Sequence, residues 1–210
     1  VTYAYKLMDS PVGQLKLVAN GERLAAILWQ NDKPNRVRLG ELIEANDRPV
    51  LIDTERQLNE YFAGTRREFD LPLAFQGTEF QKQVWAALLT IPFGQTRSYA
   101  EIAVQIGNVN AVRAAGAANG RNPISIVAPC HRVIGASGDL TGFAGGLANK
   151  MFLLSLEAGQ TSLEAQADRQ TDMFAEEGKA KVEAQARPEA QTKPARHAPR
   201  RGTQSSLFGT

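Results

Sequence analysis

Cysteine and histidine stand side by side once in this chain, in Pro129-Cys130-His131-Arg132-Val133. Cys130 is the only cysteine of 210 residues, and His131 is one of two histidines. A thiol attacks as thiolate, and a neighbouring imidazole or cation lowers the cost of forming it. A nucleophile beside a base points to covalent chemistry on an electrophile. A lone cysteine is also commonly a small buried hydrophobe with no reactivity, so adjacency alone decides little. Successive side chains of an extended strand point to opposite faces. A bridging water or a tight turn would therefore connect thiol and imidazole more easily than a direct bond.

A chain of this length forms one good core or two small ones. Its hydrophobic fraction of 43% and charged fraction of 22% are those of a globular protein. One cysteine excludes an internal disulfide and any multi-cysteine zinc site, and suits a reducing cytoplasm. No apolar run reaches membrane-spanning length, and no basic segment followed by an apolar one opens the chain, so neither membrane insertion nor a signal peptide is expected. The net charge of +2 is unevenly spread. Val1–Glu79 carries 10 basic and 12 acidic residues, whereas Phe80–Ala158 carries six and three. A mildly positive field around the cysteine suits an anionic partner such as nucleic acid, although an excess of three charges is also ordinary scatter.

The elements that must position the cysteine fall into three regions. In residues 1–76, Leu15, Leu17 and Ala19 alternate with polar neighbours, Asn20-Gly21 is a tight-turn pair, and Arg23–Trp29 follows, which predicts a hairpin. Pro34–Ala45 and Thr54–Ala63 read as helices, the second with Thr54 and Gln57 spaced as a capping box and Gly64 past its end. Phe69, Leu71, Leu73 and Phe75 alternate as a further strand. In residues 77–159 the pattern turns helical. Thr78 and Gln81 form a capping box before Phe80, Val84, Trp85, Leu88 and Leu89. Ile91-Pro92-Phe93-Gly94 ends that helix, and Ser98 with Glu101 opens a short one to Ile106. After Gly107-Asn108-Val109, Asn110 can cap a helix through Asn119. Two short helices about a glycine-containing turn form a helix-turn-helix candidate. The second, rich in alanine with Arg113 its only long side chain, is either packed inside the protein or pressed against a nucleic-acid groove. Leu147–Glu157 reads as a helix with Leu147, Met151 and Leu154 on its apolar face. Residues 160–210 are low in large apolar groups and are expected to be a disordered tail.

Ile126-Val127-Ala128-Pro129-Cys130-His131-Arg132-Val133-Ile134-Gly135 resembles the active-site segment of O6-alkylguanine-DNA alkyltransferases. Ser98-Tyr99, Arg113 in its alanine-rich helix, Arg121-Asn122-Pro123, Thr141-Gly142-Phe143-Ala144-Gly145-Gly146-Leu147 and Leu153-Leu154 before Glu157 extend the match over Gly77–Gly159. It is weaker over Val1–Gln76, where Ser10-Pro11-Val12-Gly13 resembles an early strand entry, and absent from the tail. The resemblance implies an N-terminal ribonuclease-H-like α/β domain and a mainly α C-terminal domain. Such proteins place a helix-turn-helix in the minor groove of double-stranded DNA and rotate the alkylated base out of the stack. They move its alkyl group irreversibly to their own cysteine, so each molecule reacts once, with no cofactor and no metal, and a monomer suffices.

The same resemblance assigns roles. Cys130 is the nucleophile, His131 takes its proton through a water, Glu157 orients His131, and Asn122 holds the adjacent turn. Tyr99 reaches the guanine N3 edge. Backbone carbonyls of Cys130 and Val133 accept from the exocyclic amine, and the amide of Ala144 donates to O6. Phe143, where some relatives have tyrosine, keeps an aromatic wall without a hydroxyl and packs against the alkyl group or base. Arg113 fills the space of the extruded nucleotide, while Asn108, Gln81 and the backbone near Ala136 contact phosphates. Three other classes compete: a non-enzymatic lesion binder of the alkyltransferase-like kind, a helix-turn-helix regulator, and a cysteine hydrolase. The first lacks the cysteine found here. Finally, Gln204-Ser205-Ser206-Leu207-Phe208 resembles the peptide with which bacterial repair proteins bind the sliding clamp, with Gln204, Leu207 and Phe208 as anchors.

Overall fold

The structure is a computed structural model, and it describes residues 1–159. The expected tail and its Gln204–Phe208 peptide lie outside the described residues. Four strands open the chain: β1 (Thr2–Met8), β2 (Leu15–Asn20), β3 (Arg23–Trp29) and β4 (Glu41–Glu44). They form one sheet in the order β3-β2-β1-β4, antiparallel except for the β1–β4 pair. The β2–β3 hairpin turns at the expected Asn20-Gly21 pair, with Gly21 at φ +59°.

The helix expected over Pro34–Ala45 is absent. This stretch is a run of turns followed by β4. Val37, Leu39 and Leu42 pack on the outer face of the sheet against Tyr3, Val18, Ala25 and Ala26. The open edge of β1 offers backbone partners that no local signal in residues 34–45 reveals.

α1 spans Pro49–Phe62, five residues earlier than expected. It begins on Pro49 at its first turn, where a missing N–H costs nothing. Thr54 is therefore an interior residue whose hydroxyl donates to the Val50 carbonyl at 2.7 Å, not a cap. Gln57 instead bonds the backbone of Asp70 through both ends of its amide. Phe69–Phe75 keeps its alternation against the core but makes only a single bridge, Leu24 to Leu73, not a ladder. Pro72 within it has no N–H to donate.

The second half supplies α2 (Glu79–Leu89), β5 (Arg97–Ser98), α3 (Tyr99–Gln105), α4 (Val112–Gly120), β6 (Val133–Ile134) and α5 (Leu147–Glu157). Both capping boxes, Thr78/Gln81 and Ser98/Glu101, form with reciprocal bonds. The Asn110 cap does not. Ala111 is the residue before α4, and no side chain caps that helix. On α5 the buried face carries Lys150, Phe152, Leu153, Leu156 and Glu157, whereas Leu147, Met151 and Leu154 are half-buried. The apolar stripe is thus rotated by about one residue from the expected one.

Two cores result. The first joins the inner sheet face, α1 and α5 through Leu15, Leu17, Ile27, Leu58, Tyr61, Phe152 and Leu156. The second joins α2, α3 and α4 through Val84, Trp85, Leu88, Ile102, Ala115 and Ala118. The segment carrying the cysteine runs through both. Ile124, Ile126 and Val127 sit in the first core, and Cys130 and Val133 in the second. Cys130 is therefore at the seam, fixed by packing from either side.

Candidate active site

The cysteine segment is shaped by a brace. Asn122 donates through Nδ2 to the Ala128 carbonyl at 2.7 Å and accepts the Ile124 N–H at 3.1 Å. Between those two bonds Ile126 takes φ +73°. A β-branched residue rarely adopts this left-handed conformation, and it persists only where the surroundings over-determine it. Ile126 and its neighbours are fully buried, which supplies that constraint. β3 is tied to the same segment through Ile27 N–H to the Pro123 carbonyl. The chain then makes one turn of 3-10 helix at Cys130–Arg132. Cys130 and His131 thus sit on a 3-10 turn and not on an extended strand.

Cys130 is 3% exposed and His131 is fully buried. The imidazole Nε2 bonds Glu157 Oε1 at 2.8 Å across 26 residues of sequence. Arg132 grips the same carboxylate with two donors, Nε to Oε2 at 2.8 Å and Nη2 to Oε1 at 2.9 Å. Tyr61 Oη donates to Oε1 at 2.8 Å and Gly94 N–H to Oε2 at 3.1 Å. Burial pushes the Glu157 carboxyl upward, but its hydrogen bond with His131, followed by the hydrogen bonds and charge of Arg132, outweighs it and holds it well below the ordinary range. Burial pushes His131 below its ordinary value, against the pull of Glu157 and with help from the Arg132 and Lys150 charges. The imidazole is therefore neutral. With Nε2–H donating to the carboxylate, Nδ1 is left as an acceptor, and it has no hydrogen bond among the described residues.

Burial also raises the Cys130 thiol above its ordinary value, opposed by hydrogen bonds from Asn122 and Ser125 and by the charges of Arg36 and Lys150. The resting group is a thiol that needs a base. Lys150 is completely buried on α5 and donates to the carbonyls of Val133 at 2.7 Å and Thr141 at 3.1 Å. It ties the loop after the cysteine to the cysteine segment. That loop also lies on the first core. Phe143 meets Trp29 edge to face with centroids 5.3 Å apart, and Trp29 Nε1 donates to Ser125 Oγ at 3.2 Å. A Cβ on Gly145 would come 2.7 Å from the Trp29 ring, so only glycine fits there.

The expected residues divide into two groups. Cys130, His131, Glu157, Asn122 and Val133 are all buried, with His131 bonded to Glu157, Asn122 to Cys130, and the Val133 carbonyl to Lys150. Tyr99, the first residue of α3, and Phe143 pack against the cluster that contains Cys130 and Val133. Thr141 donates to the Tyr99 hydroxyl at 3.0 Å. Ala144 is half-buried in the same loop, packed on the first core. The Val133 carbonyl already accepts from Lys150, and a second lone pair remains for a ligand. Arg113, Asn108 and Ala136 are exposed, and Gln81 is half-buried with its side-chain carbonyl committed to the capping box. On α4, Val112, Arg113, Ala114 and Ala117 face out while Ala115, Ala118 and Asn119 face in. One face of the helix is thus packed inside the protein, and the other leaves Arg113 exposed.

Sequence reasoning missed Tyr61, Lys150 and the grip of Arg132. One signal was available. Lys150, Leu153 and Glu157 fall at i, i+3 and i+7, which places a cation and an anion on one helical stripe with leucine between them.

Comparison with known proteins places the helical half among DNA-binding domains. Residues 79–159 match the family described as 6-O-methylguanine DNA methyltransferase, DNA binding domain, and residues 3–75 match its ribonuclease-like domain. The methylated-DNA–protein-cysteine methyltransferase of Mycobacterium tuberculosis is 51% identical over 155 residues, 73% of this chain and 91% of that protein. That of Methanosarcina acetivorans is 48% identical over 153 residues, 73% of this chain and 97% of that protein. The crystal structure of Mycobacterium tuberculosis OGT in complex with DNA superposes with a TM-score of 0.72 at 45% identity, covering 80% of this chain and 99% of that one. The chain belongs to the 6-O-methylguanine DNA methyltransferase family. No described helix is long and apolar enough to cross a membrane.

Proposed function

We propose that this protein reverses alkylation damage by moving the alkyl group of O6-alkylguanine in duplex DNA, with O4-alkylthymine as a second substrate, onto Cys130. His131 accepts the thiol proton through a water at Nδ1. The thiolate attacks the alkyl carbon in line, the S–C bond forms, and the C–O6 bond breaks. Tyr99 supplies a proton or hydrogen bond at N3, so guanine departs without a full negative charge. The thiol proton held by His131 returns through solvent to the base or to Tyr99, so the products are S-alkyl-Cys130 and neutral guanine. Nothing in this scheme cleaves a thioether, so turnover stops at one. Glu157 stabilises the imidazolium formed in the first step, as a triad acid does.

The observation that carries this reading is the His131–Glu157 bond of 2.8 Å, which leaves a neutral, buried imidazole with one free acceptor nitrogen beside the cysteine. The exposed face of α4 enters the groove, with Arg113 occupying the vacated base position at a cost of a few kcal/mol for extrusion. Asn108, Gln81 and the backbone near Ala136 contact phosphates. Ala144 N–H meets O6, Cys130 and Val133 carbonyls meet the exocyclic amine, Phe143 walls the pocket, and Asn122 holds the turn. The scaffold division falls at 76/77, and the protein works as a cytoplasmic monomer. Exposure to a duplex with labelled O6-methylguanine should leave one label per molecule, on Cys130. Label elsewhere, or more than one turnover, refutes the assignment.

The Gln204, Leu207 and Phe208 peptide supports a second contact, with a sliding clamp. Deleting Gln204–Thr210 should abolish clamp pull-down and leave transfer on short duplexes unchanged. Retention of the clamp by the truncated protein overturns that contact.

A further inference from the structure

A cleft of about 500 Å3 that Cys130 does not line lies between the turn Asn35–Arg38, the start of α2 at Gly77, Thr78 and Gln81, and Arg121 just past α4. Three arginines and no acidic residue line it. Arg36 is already committed, since it pairs with Asp32 and donates to the carbonyl of Asn122. Arg38 and Arg121 are different. Both are exposed, and neither has an ion pair or side-chain hydrogen bond among the described residues. Two cations facing one cleft without a counter-charge repel each other unless an anion joins them.

Continuity with the DNA-binding face selects the anion. Arg121 follows Arg113 by eight residues along α4, which is about 12 Å at the helical rise. A DNA strand carries one charge per about 3.4 Å of axis, so several phosphates pass within that span. The cleft also meets the N-terminus of α2, where the helix dipole favours negative charge. A carbonyl-bound Arg36 holds the turn that presents Arg38, so the arginine is offered from a fixed backbone.

We propose that this cleft holds a phosphodiester of the bound DNA strand, with Arg38 and Arg121 as its two cationic contacts. The footprint then extends from the helix-turn-helix onto the sheet domain, which is not merely a scaffold. The inference rests on the reading that α4 docks on duplex DNA.

The test is the salt dependence of binding to an unmodified duplex of about 20 base pairs. Each lost phosphate contact lowers the slope of log K against log salt by about 0.9. The Arg38→Ala/Arg121→Ala protein should lose about 2 from the slope, and the Arg38→Lys/Arg121→Lys protein should keep it. Both should melt at the parent temperature. An unchanged slope in the double alanine protein overturns the proposal, as does inorganic phosphate raising its melting temperature as much as the parent's. Labelling of Cys130 by free O6-benzylguanine should proceed at the parent rate in both variants. Failure of that labelling in the parent would sink the alkyl-transfer reading alone, while the slope would still judge the cleft.

Discussion

The cysteine segment and helix α4 hold their functional groups by opposite means. From Asn122 to Val133 every residue is buried, and Asn122, Arg132 and Glu157 are each held by more than one hydrogen bond, while His131 bonds only Glu157 among the described residues. Glu157 alone accepts from Tyr61, Gly94, His131 and Arg132. On α4 the outer face is exposed and small, and Arg113, beside Val112, Ala114 and Ala117, has no side-chain partner among the described residues. A proton-transfer site must exist before substrate arrives, so its order is built into the fold. On the proposed function the outer face of α4 is completed only by DNA, which accounts for its exposed groups. Substitutions should therefore damage folding in the first region and recognition in the second.

The largest effect is expected at Glu157. Removing one partner of a buried ion pair leaves the other charge uncompensated, at a cost of about 3–5 kcal/mol. Glu157→Ala strands Arg132 and unpins His131, and urea denaturation should show a loss of that size against a native stability of roughly 5–15 kcal/mol. A midpoint close to the parent's would mean that the carboxylate is not the hub the geometry makes it.

Acid should reach the same hub. His131 titrates below its ordinary 6.5, so on acidification the unfolded chain takes up this proton before the folded one does. Glu157 titrates below its ordinary 4.5, so it too is protonated first in the unfolded state. Both contributions are complete at neutral pH and are lost as pH falls, His131 first and Glu157 later. The transfer rate should follow, because a protonated His131 cannot accept the thiol proton. Its acid limb should lie below pH 6.5 when measured with a free-base substrate. A limb above that value would contradict the neutral buried imidazole.

Local signals carried far in this sequence, and their failures are instructive. The β2–β3 hairpin and two of the three capping boxes, Thr78/Gln81 and Ser98/Glu101, depend on residues within a few positions of each other and form as read. Glu41–Glu44 becomes a strand because β1, some forty residues away, offers an open edge. Thr54 and Gln57 copy the spacing of a cap, yet Pro49 had already started the helix. At the site, Cys130 and His131 were legible because they are adjacent. The buried roles of Tyr61 and Lys150 depend on which helices pack over the cysteine segment, and nothing near them in sequence states that.

The smallest effect gives the sharpest form of the comparison, because it uses one residue type on one helix. Ala118 is 3% exposed and its carbonyl accepts the Trp85 indole N–H at 2.9 Å, inside the second core. Ala117, its neighbour, faces solvent. Leucine at 118 must push against Trp85 and α2, and overpacking of this kind costs about 1–3 kcal/mol. Ala117 is exposed, so leucine there should change stability by less than about 0.5 kcal/mol. Its bulk stands on the face that must lie close to the groove, so it should weaken duplex binding while free-base labelling of Cys130 stays at the parent rate. Thermal melts and duplex titrations of the two variants read the two losses separately. If Ala117→Leu destabilises as much as Ala118→Leu, or binds DNA as the parent does, the outer face of α4 is not a docking surface and the contrast between the two regions collapses.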